Sequence, residues 1–306
     1  MAATQFLGGW ERGLTINFNT VNQFASLANN GNLALSGTES DRQEIFPTAG
    51  KLLKWGVYVS ANSIATSDST IRLRVNGAAG PLLVTIPAGA TGWQEASGGF
   101  AAIAANDLVS VQVNTPNTSG SLTVTGCKVL WQAATGETVV RLPMTPWAFA
   151  VNSATRYQVL HSQAGLTTES FSVMRTAGTL RSLHIVVSSS ARAVNDVVTV
   201  RKNGVDTTMT VTLNGNGTYS DTAHPVTVAV GDQISLKFAA GASASTATLN
   251  ICLEFVSSGQ TYDVFGTWFQ SVAAGGTNYV AVCGSQRWFA TETSASGPAL
   301  HAGKLS

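Results

Sequence analysis

The sequence predicts an all-β protein made of two tandem antiparallel β-sandwiches of the jelly-roll type, followed by a C-terminal β-arm or partial third repeat. Three observations carry that prediction. The chain repeats itself: Ala49-Gly50-Lys51-Leu52 returns as Ala177-Gly178-Thr179-Leu180 and again as Ala302-Gly303-Lys304-Leu305. Asn76-Gly77 returns as Asn203-Gly204, Asp107 as Asp232 and Cys127 as Cys252, and all offsets lie between 125 and 128 residues. A period this long belongs to a domain, well above the few tens of residues of a solenoid repeat. Second, apolar and polar residues alternate, as in Ile71-Arg72-Leu73-Arg74-Val75 and Ile234-Ser235-Leu236-Lys237-Phe238, so each strand buries one face and wets the other. Third, Asn-Gly pairs and Gly231-Asp232 separate these runs with hairpin chemistry.

The strands follow in order. The first unit shows Leu53 to Val59, Thr70 to Val75, Leu82 to Ile86, Val109 to Val113 and Leu122 to Leu130. The second shows Leu183 to Val187, Val197 to Val200, Met209 to Leu213, Val226 to Val230, Ile234 to Phe238 and Thr248 to Phe255. No amphipathic helix is evident. Looser openings precede each Ala-Gly-x-Leu signal: a polar-aromatic pair (Gln23-Phe24, Arg156-Tyr157, Asn278-Tyr279), then a Thr/Glu/Ser cluster (Thr38-Glu39-Ser40, Thr168-Glu169-Ser170, Thr291-Glu292-Thr293). The domains expected are 1–132, 133–256 and a partial third repeat at 257–306, with Ala133 to Ala154, which carries Pro143 and Pro146, read as a linker. About eight strands per unit favour a jelly roll. An immunoglobulin-like sandwich is the alternative, though the Cys and Trp spacing of that fold is absent.

Composition narrows the function. Of 306 residues only 11% are charged and 44% are apolar, and 17 basic side chains against 16 acidic ones leave a net charge of +1. Such a chain lacks the electrostatic footprint of a nucleic-acid binder. Met1 to Phe6 show neither the basic nor the apolar region of a secretory signal, and no apolar run approaches the roughly 18 residues of a membrane span. A soluble chain made in the cytoplasm is expected. Cys127 and Cys252 are read as small core residues of one repeated strand, and Cys283 as a free thiol.

Candidates for chemistry are few. Glycoside hydrolysis needs two carboxylates across a cleft, and Asp196, Asp206, Asp221 and Asp232 are available. Asp232, however, repeats Asp107 in a turn, where such a side chain bonds its own backbone. His161, His184, His224 and His301 show no metal-ligand spacing, although Asp221 and His224 share a short loop. No nucleophile elbow, phosphate-binding loop or dinucleotide fingerprint occurs. Neither a cofactor, a metal nor a catalytic residue is therefore expected. Trp55 and Trp131 read as core, whereas Trp10, Trp93, Trp147, Trp268 and Trp288 lie outside the clearest core strands, where they could pack domains together or stack on a surface glycan.

The wording of the second unit, Ala-Gly-Thr-Leu-Arg-Ser-Leu-His-Ile-Val-Val (177–187), Val-Arg-Lys-Asn-Gly-Val-Asp-Thr-Thr-Met-Thr-Val-Thr (200–212) and Val-Ala-Val-Gly-Asp-Gln-Ile-Ser-Leu (228–236), resembles the tumour-necrosis-factor/C1q-like jelly-roll modules in proteins of tailed bacteriophages. The first unit matches more loosely and departs at Ala78-Ala79-Gly80, where the second has Val205-Asp206-Thr207. The resemblance implies a virion component, made in the host bacterial cytoplasm, that contacts other virion proteins and itself as a trimer. It carries no catalytic residues. The C-terminal arm, with Phe265, Trp268, Phe269, Tyr279, Trp288 and Phe289, is the expected partner-binding segment, since isolated apolar strands must pair with something. A truncated third domain is the other reading of those residues, and a carbohydrate-binding adhesin or polysaccharide-degrading spike are the other readings of the whole.

Overall fold

A computed structural model describes residues 4–9, 14–17, 20–27, 35–97, 99–116, 119–137, 139–149, 153–158, 160, 167–243 and 245–257. No α-helix occurs among them. The first unit runs β1 (Thr4–Gly9), β2 (Leu14–Asn17), β3 (Gln23–Ala25), β4 (Glu44–Phe46), β5 (Gly50–Asn62), β6 (Ser69–Val75), β7 (Ala78–Ile86), β8 (Gly92–Glu95), β9 (Ala101–Ile103), β10 (Asp107–Asn114) and β11 (Ser121–Ala133), with a 3-10 turn at Glu39–Arg42. The second runs β12 (Val139–Phe149), β13 (Thr155–Gln158), β14 (Ser172–Val173), β15 (Gly178–Ser190), β16 (Asp196–Lys202), β17 (Val205–Leu213), β18 (Gly217–Asp221), β19 (Val226–Val228), β20 (Gln233–Ala239) and β21 (Ala247–Ser257).

The topology is the same twice. In the first unit a sheet ordered β1-β11-β5-β8, with β2 on β11 and β9 on β5, packs on a sheet ordered β3-β10-β6-β7, with β4 on β10. The second repeats this as β12-β21-β15-β18, with β19 on β15, against β13-β20-β16-β17, with β14 on β20. Each unit has its own core. Trp55, Val57 and Trp131 of one sheet meet Ile71, Leu73 and Val111 of the other in the first unit, and Ile185, Leu253 and Phe255 meet Val198, Leu236 and Phe238 in the second. Burying one such side chain contributes about 1.5–3 kcal/mol, which is what the alternating pattern is for.

The repeated Ala-Gly-x-Leu signal has a steric cause. A Cβ on Gly50 would run into the Gln132 carbonyl and lie 2.5 Å from the Trp131 ring, and one on Gly178 would meet the Val256 carbonyl and lie 2.7 Å from the Phe255 ring. The last strand's aromatic side chain sits where a side chain would be, so only glycine fits. Both Asn-Gly hairpins are of the I′ type, with φ of 50° and 77° at Asn76-Gly77 and 52° and 77° at Asn203-Gly204.

Two expectations need correction. The stretch read as a linker contains β12, which pairs with β21 along Val139–Phe149. Its prolines are compatible with a strand because β12 is an edge strand, and Pro146 falls at a register irregularity between Met144 and Trp147. The cysteines are not equivalent either. Cys127 pairs with Val57, whereas the repeat of Val57 is Ile185, whose partner is Ile251 and not Cys252. Cys127 therefore faces the first core, where Trp55 Nε1 donates to its sulfur at 3.1 Å and burial pushes its thiol up to about 12. Cys252 lies on the opposite face of its strand, because a slip of one residue exchanges the two sides of a strand.

Candidate functional site

The outer face of β15 and β21 is not solvated. Ile45 from β4 and Leu108 from β10 pack on Val186 and Cys252, so an edge of the first sandwich is seated on a sheet face of the second. A polar lock surrounds this cluster. Glu254 accepts from the Thr48 amide at 3.0 Å, from Thr48 Oγ1 at 2.8 Å and from Arg181 Nε at 3.4 Å. Arg181 also donates to Glu137 Oε2 at 3.0 Å. The Glu254 side chain is 1% exposed, so it depends on these donors for the solvation it has lost. Asn250 reaches the Asp41 carbonyl at 3.5 Å, and His184 is buried, its pKa lowered by desolvation. Val139, at the start of β12, is buried in the first unit's core, although residues 134–137 that lead to it are exposed.

None of these junction residues was singled out from sequence as a contact. A signal existed: Leu183-His184-Ile185-Val186-Val187 does not alternate, and Glu254 is a carboxylate inside an apolar strand. A strand covered on both faces loses alternation.

The opening signals of each repeat form one structure. Glu39 lies 2.9 Å from Arg74 Nε and accepts from Ser110 Oγ at 2.6 Å, while Arg74 stacks over the Phe24 ring at 5.6 Å and donates to the Gly77 carbonyl. The second unit repeats each contact: Glu169 lies 3.0 Å from Arg201 and accepts from Ser235 at 2.6 Å, with Arg201 5.5 Å from the Tyr157 ring and donating to the Gly204 carbonyl. These motifs brace the hairpin.

The residues considered for acid–base chemistry are dispersed and engaged. Asp196 is buried and accepts from Arg192 Nε at 2.8 Å, Arg192 Nη2 at 2.7 Å and the Gly241 amide at 2.9 Å. Asp206 pairs with Arg201 and Lys237 at the hairpin. Asp232 accepts from the Ala229 amide, Lys202 and Asn203, which together hold its pKa down at about 2. Asp221 and His224 do meet, Nδ1 lying 3.0 Å from both carboxylate oxygens. Burial alone would raise the Asp221 pKa, but the Thr210 amide, the His224 side chain and the Ala223 amide outweigh it and leave the carboxyl below its ordinary value. Among the described residues no group of three metal-binding side chains forms, and no helix is long and apolar enough to cross a membrane.

Trp55 and Trp131 are in the core as expected. Trp93 lies on β8, edge-on to Tyr58 at 5.6 Å with Lys128 Nζ 4.5 Å over one ring face, so that face is taken. Trp147 lies in β12. His161, Cys283, His301, Trp10 and the six arm residues Phe265, Trp268, Phe269, Tyr279, Trp288 and Phe289 fall outside the described residues.

No protein-family model matches the chain, and no curated protein does. Among solved structures, the major capsid protein P2 from bacteriophage PM2 is similar at 9% identity and a TM-score of 0.25, over 80% of this chain and 98% of that one. The VP2 subviral particle of infectious bursal disease virus is similar at 11% identity and a TM-score of 0.17, over 83% of this chain and 80% of that one. At such scores neither likeness bears on what the chain does.

Proposed function

We propose that this chain is a non-enzymatic structural component of a bacteriophage virion, a capsid decoration, cement or head-fibre protein that acts through contacts with other virion proteins and with copies of itself, in a trimer. The observation that carries the reading is the junction. An edge of one sandwich is locked on the sheet face of the next through buried apolar contacts and the Thr48–Glu254–Arg181 bonds, which makes a stiff two-body piece. Stiffness suits a protein that works by contact, and its low surface charge lets copies meet without desolvating many ions. The virion context comes from the resemblance of the second unit to phage jelly-roll modules. In this reading residues 257–306 form a further contact surface through Phe265, Trp268, Phe269, Tyr279, Trp288 and Phe289.

The test is mass spectrometry of gradient-purified phage particles from a culture that expresses the chain, with the solution mass of the purified protein measured alongside. Recovery in the particles at a fixed ratio to the major capsid protein, with a threefold protomer mass in solution, supports the proposal. Presence in the lysate and absence from the particles overturns it.

A further inference from the structure

Five asparagines in the chain precede a glycine, and four of these pairs lie among the described residues: Asn76-Gly77, Asn203-Gly204, Asn214-Gly215 and Asn216-Gly217, with Asn30-Gly31 outside them. Such pairs carry a chemistry of their own. Glycine has no Cβ to shield its amide nitrogen, so that nitrogen can reach the side-chain carbonyl carbon of the asparagine before it and close a five-membered ring. All four asparagines are exposed, so access to water does not separate them.

Hydrogen bonds do. Asn76 and Asn203 engage both side-chain groups: each Nδ2 donates to an aspartate, Asp107 or Asp232, and each Oδ1 accepts a strand amide, that of Leu108 or Gln233. Either side chain must break two bonds before it can cyclise, and one of them is to a charge. Asn214 and Asn216 stand in the turn between β17 and β18, and neither side chain makes a hydrogen bond among the described residues. Asn214 is held by its main chain alone, its amide donating to Tyr219 Oη at 3.2 Å and its carbonyl accepting from that hydroxyl at 2.6 Å. The Gly215 amide, the nucleophile for Asn214, bonds to no carbonyl among the described residues.

We propose that the β17–β18 turn is a deamidation site, at Asn214 and Asn216, and that the aspartates of the two I′ hairpins protect Asn76 and Asn203 from the same reaction. Only water is consumed. The glycine nitrogen bonds to the asparagine Cγ, the Cγ–Nδ2 bond breaks, and Nδ2 leaves as ammonia with the proton that the glycine nitrogen gives up. Water then opens the succinimide at one carbonyl or the other, which leaves aspartate or isoaspartate with no change of oxidation state. Each event replaces a neutral amide by a carboxylate and so removes one from a net charge of only +1. At Asn214 an isoaspartate also turns the carbonyl that Tyr219 bonds into a free carboxylate and lengthens the turn by one methylene. This holds for the chain alone, so its failure leaves the virion reading standing.

The experiment incubates the folded full chain, and in parallel the chain unfolded in urea, at neutral pH in heavy-oxygen water. Digestion in ordinary water follows, so the label marks conversion that preceded it, and mass spectrometry with isoaspartate-specific fragmentation reads each Asn-Gly peptide. Conversion at Asn214 or Asn216 at least tenfold faster than at Asn76 and Asn203 in the folded chain, with that ratio lost in urea, supports the proposal. Asp232→Ala should raise the rate at Asn203 and leave Asn76 slow; Asp107→Ala should do the reverse, and it keeps the test open should Asp232→Ala fail to fold. Equal rates at the four sites in the folded chain overturn the proposal. Survival of Asn214 and Asn216 in the folded chain over the time in which urea converts them overturns it too, as does an Asn203 or Asn76 rate unmoved by loss of its aspartate.

Discussion

The side-chain amide of Asn203 donates to Asp232 Oδ1 at 2.8 Å, and the same contact joins Asn76 to Asp107 at 2.6 Å. Each asparagine also accepts the amide after its aspartate, Gln233 or Leu108, at 2.8 Å. Two signals that stand about 30 residues apart in each repeat therefore form one knot, tying the tip of a hairpin to the start of the neighbouring strand. A hydrogen bond to a charged group contributes about 1.5–3 kcal/mol. Asn203→Ala and Asp232→Ala should each lower stability by about that much, and the double variant should cost little more than either single one. Denaturant unfolding of the four proteins checks this; full additivity would mean the two side chains do not act together.

The knot also predicts an acid limb. The Asp232 carboxyl titrates at about 2 in the folded chain, against an ordinary value of 3.8. A depressed folded value means the ionised group stabilises the fold fully above its ordinary pKa and ceases to as pH falls through the lower one. Asp221 shifts in the same direction. Thermal midpoints of the native chain should therefore fall between pH about 4 and about 2, and Asp232→Asn should flatten that fall. Parallel pH profiles for the two proteins would contradict the assignment.

Gly178 offers a steric test. Because a Cβ there meets the Val256 carbonyl and the Phe255 ring, Gly178→Ala must move backbone or a fully buried aromatic side chain. Overpacking of this kind costs about 1–3 kcal/mol, and Gly50→Ala should behave alike for the same reason. Gly99→Ala has nothing within 4 Å of the new methyl group and should stay within about 0.5 kcal/mol of the native chain. Chemical denaturation of the three variants reads the difference directly; a neutral Gly178→Ala would remove the steric account of the repeated motif.

These cases show what was legible in the sequence and what was not. The fold was, because alternation in strands such as Ser69–Val75 and the left-handed Asn-Gly turns are local, and the repeat doubles every local signal. The strand predicted at Val226 to Val230 stops at Val228, since Val230 and Gly231 are drawn into the turn that Asp232 closes. The equivalence of Cys127 and Cys252 failed because a shared residue type does not establish which face of a strand it occupies, and register does. The strand at Val139–Phe149 was hidden by its prolines, which an edge strand tolerates. The junction was least legible. Thr48 and Glu254 are 206 residues apart, and the lost alternation of Leu183 to Val187 signals a second covered face without indicating that the preceding domain covers it.

That junction supplies the last prediction. Arg181 is the partly exposed member of its lock, at 29% for the side chain, while Glu254 is 1% exposed and keeps only the Thr48 amide and hydroxyl if the guanidinium is removed. A buried carboxylate deprived of its cation costs more than one replaced by a neutral isostere, so Arg181→Ala should destabilise by about 3–5 kcal/mol and Glu254→Gln by clearly less. The loss should fall on the contact between the sandwiches rather than on either core, because Leu253 and Phe255 on the opposite face of β21 are untouched. Calorimetry should then show the native chain's unfolding resolve into two steps in Arg181→Ala. A single step of unchanged midpoint in that variant would mean that the apolar cluster of Ile45, Leu108, Val186 and Cys252 holds the units together without the lock.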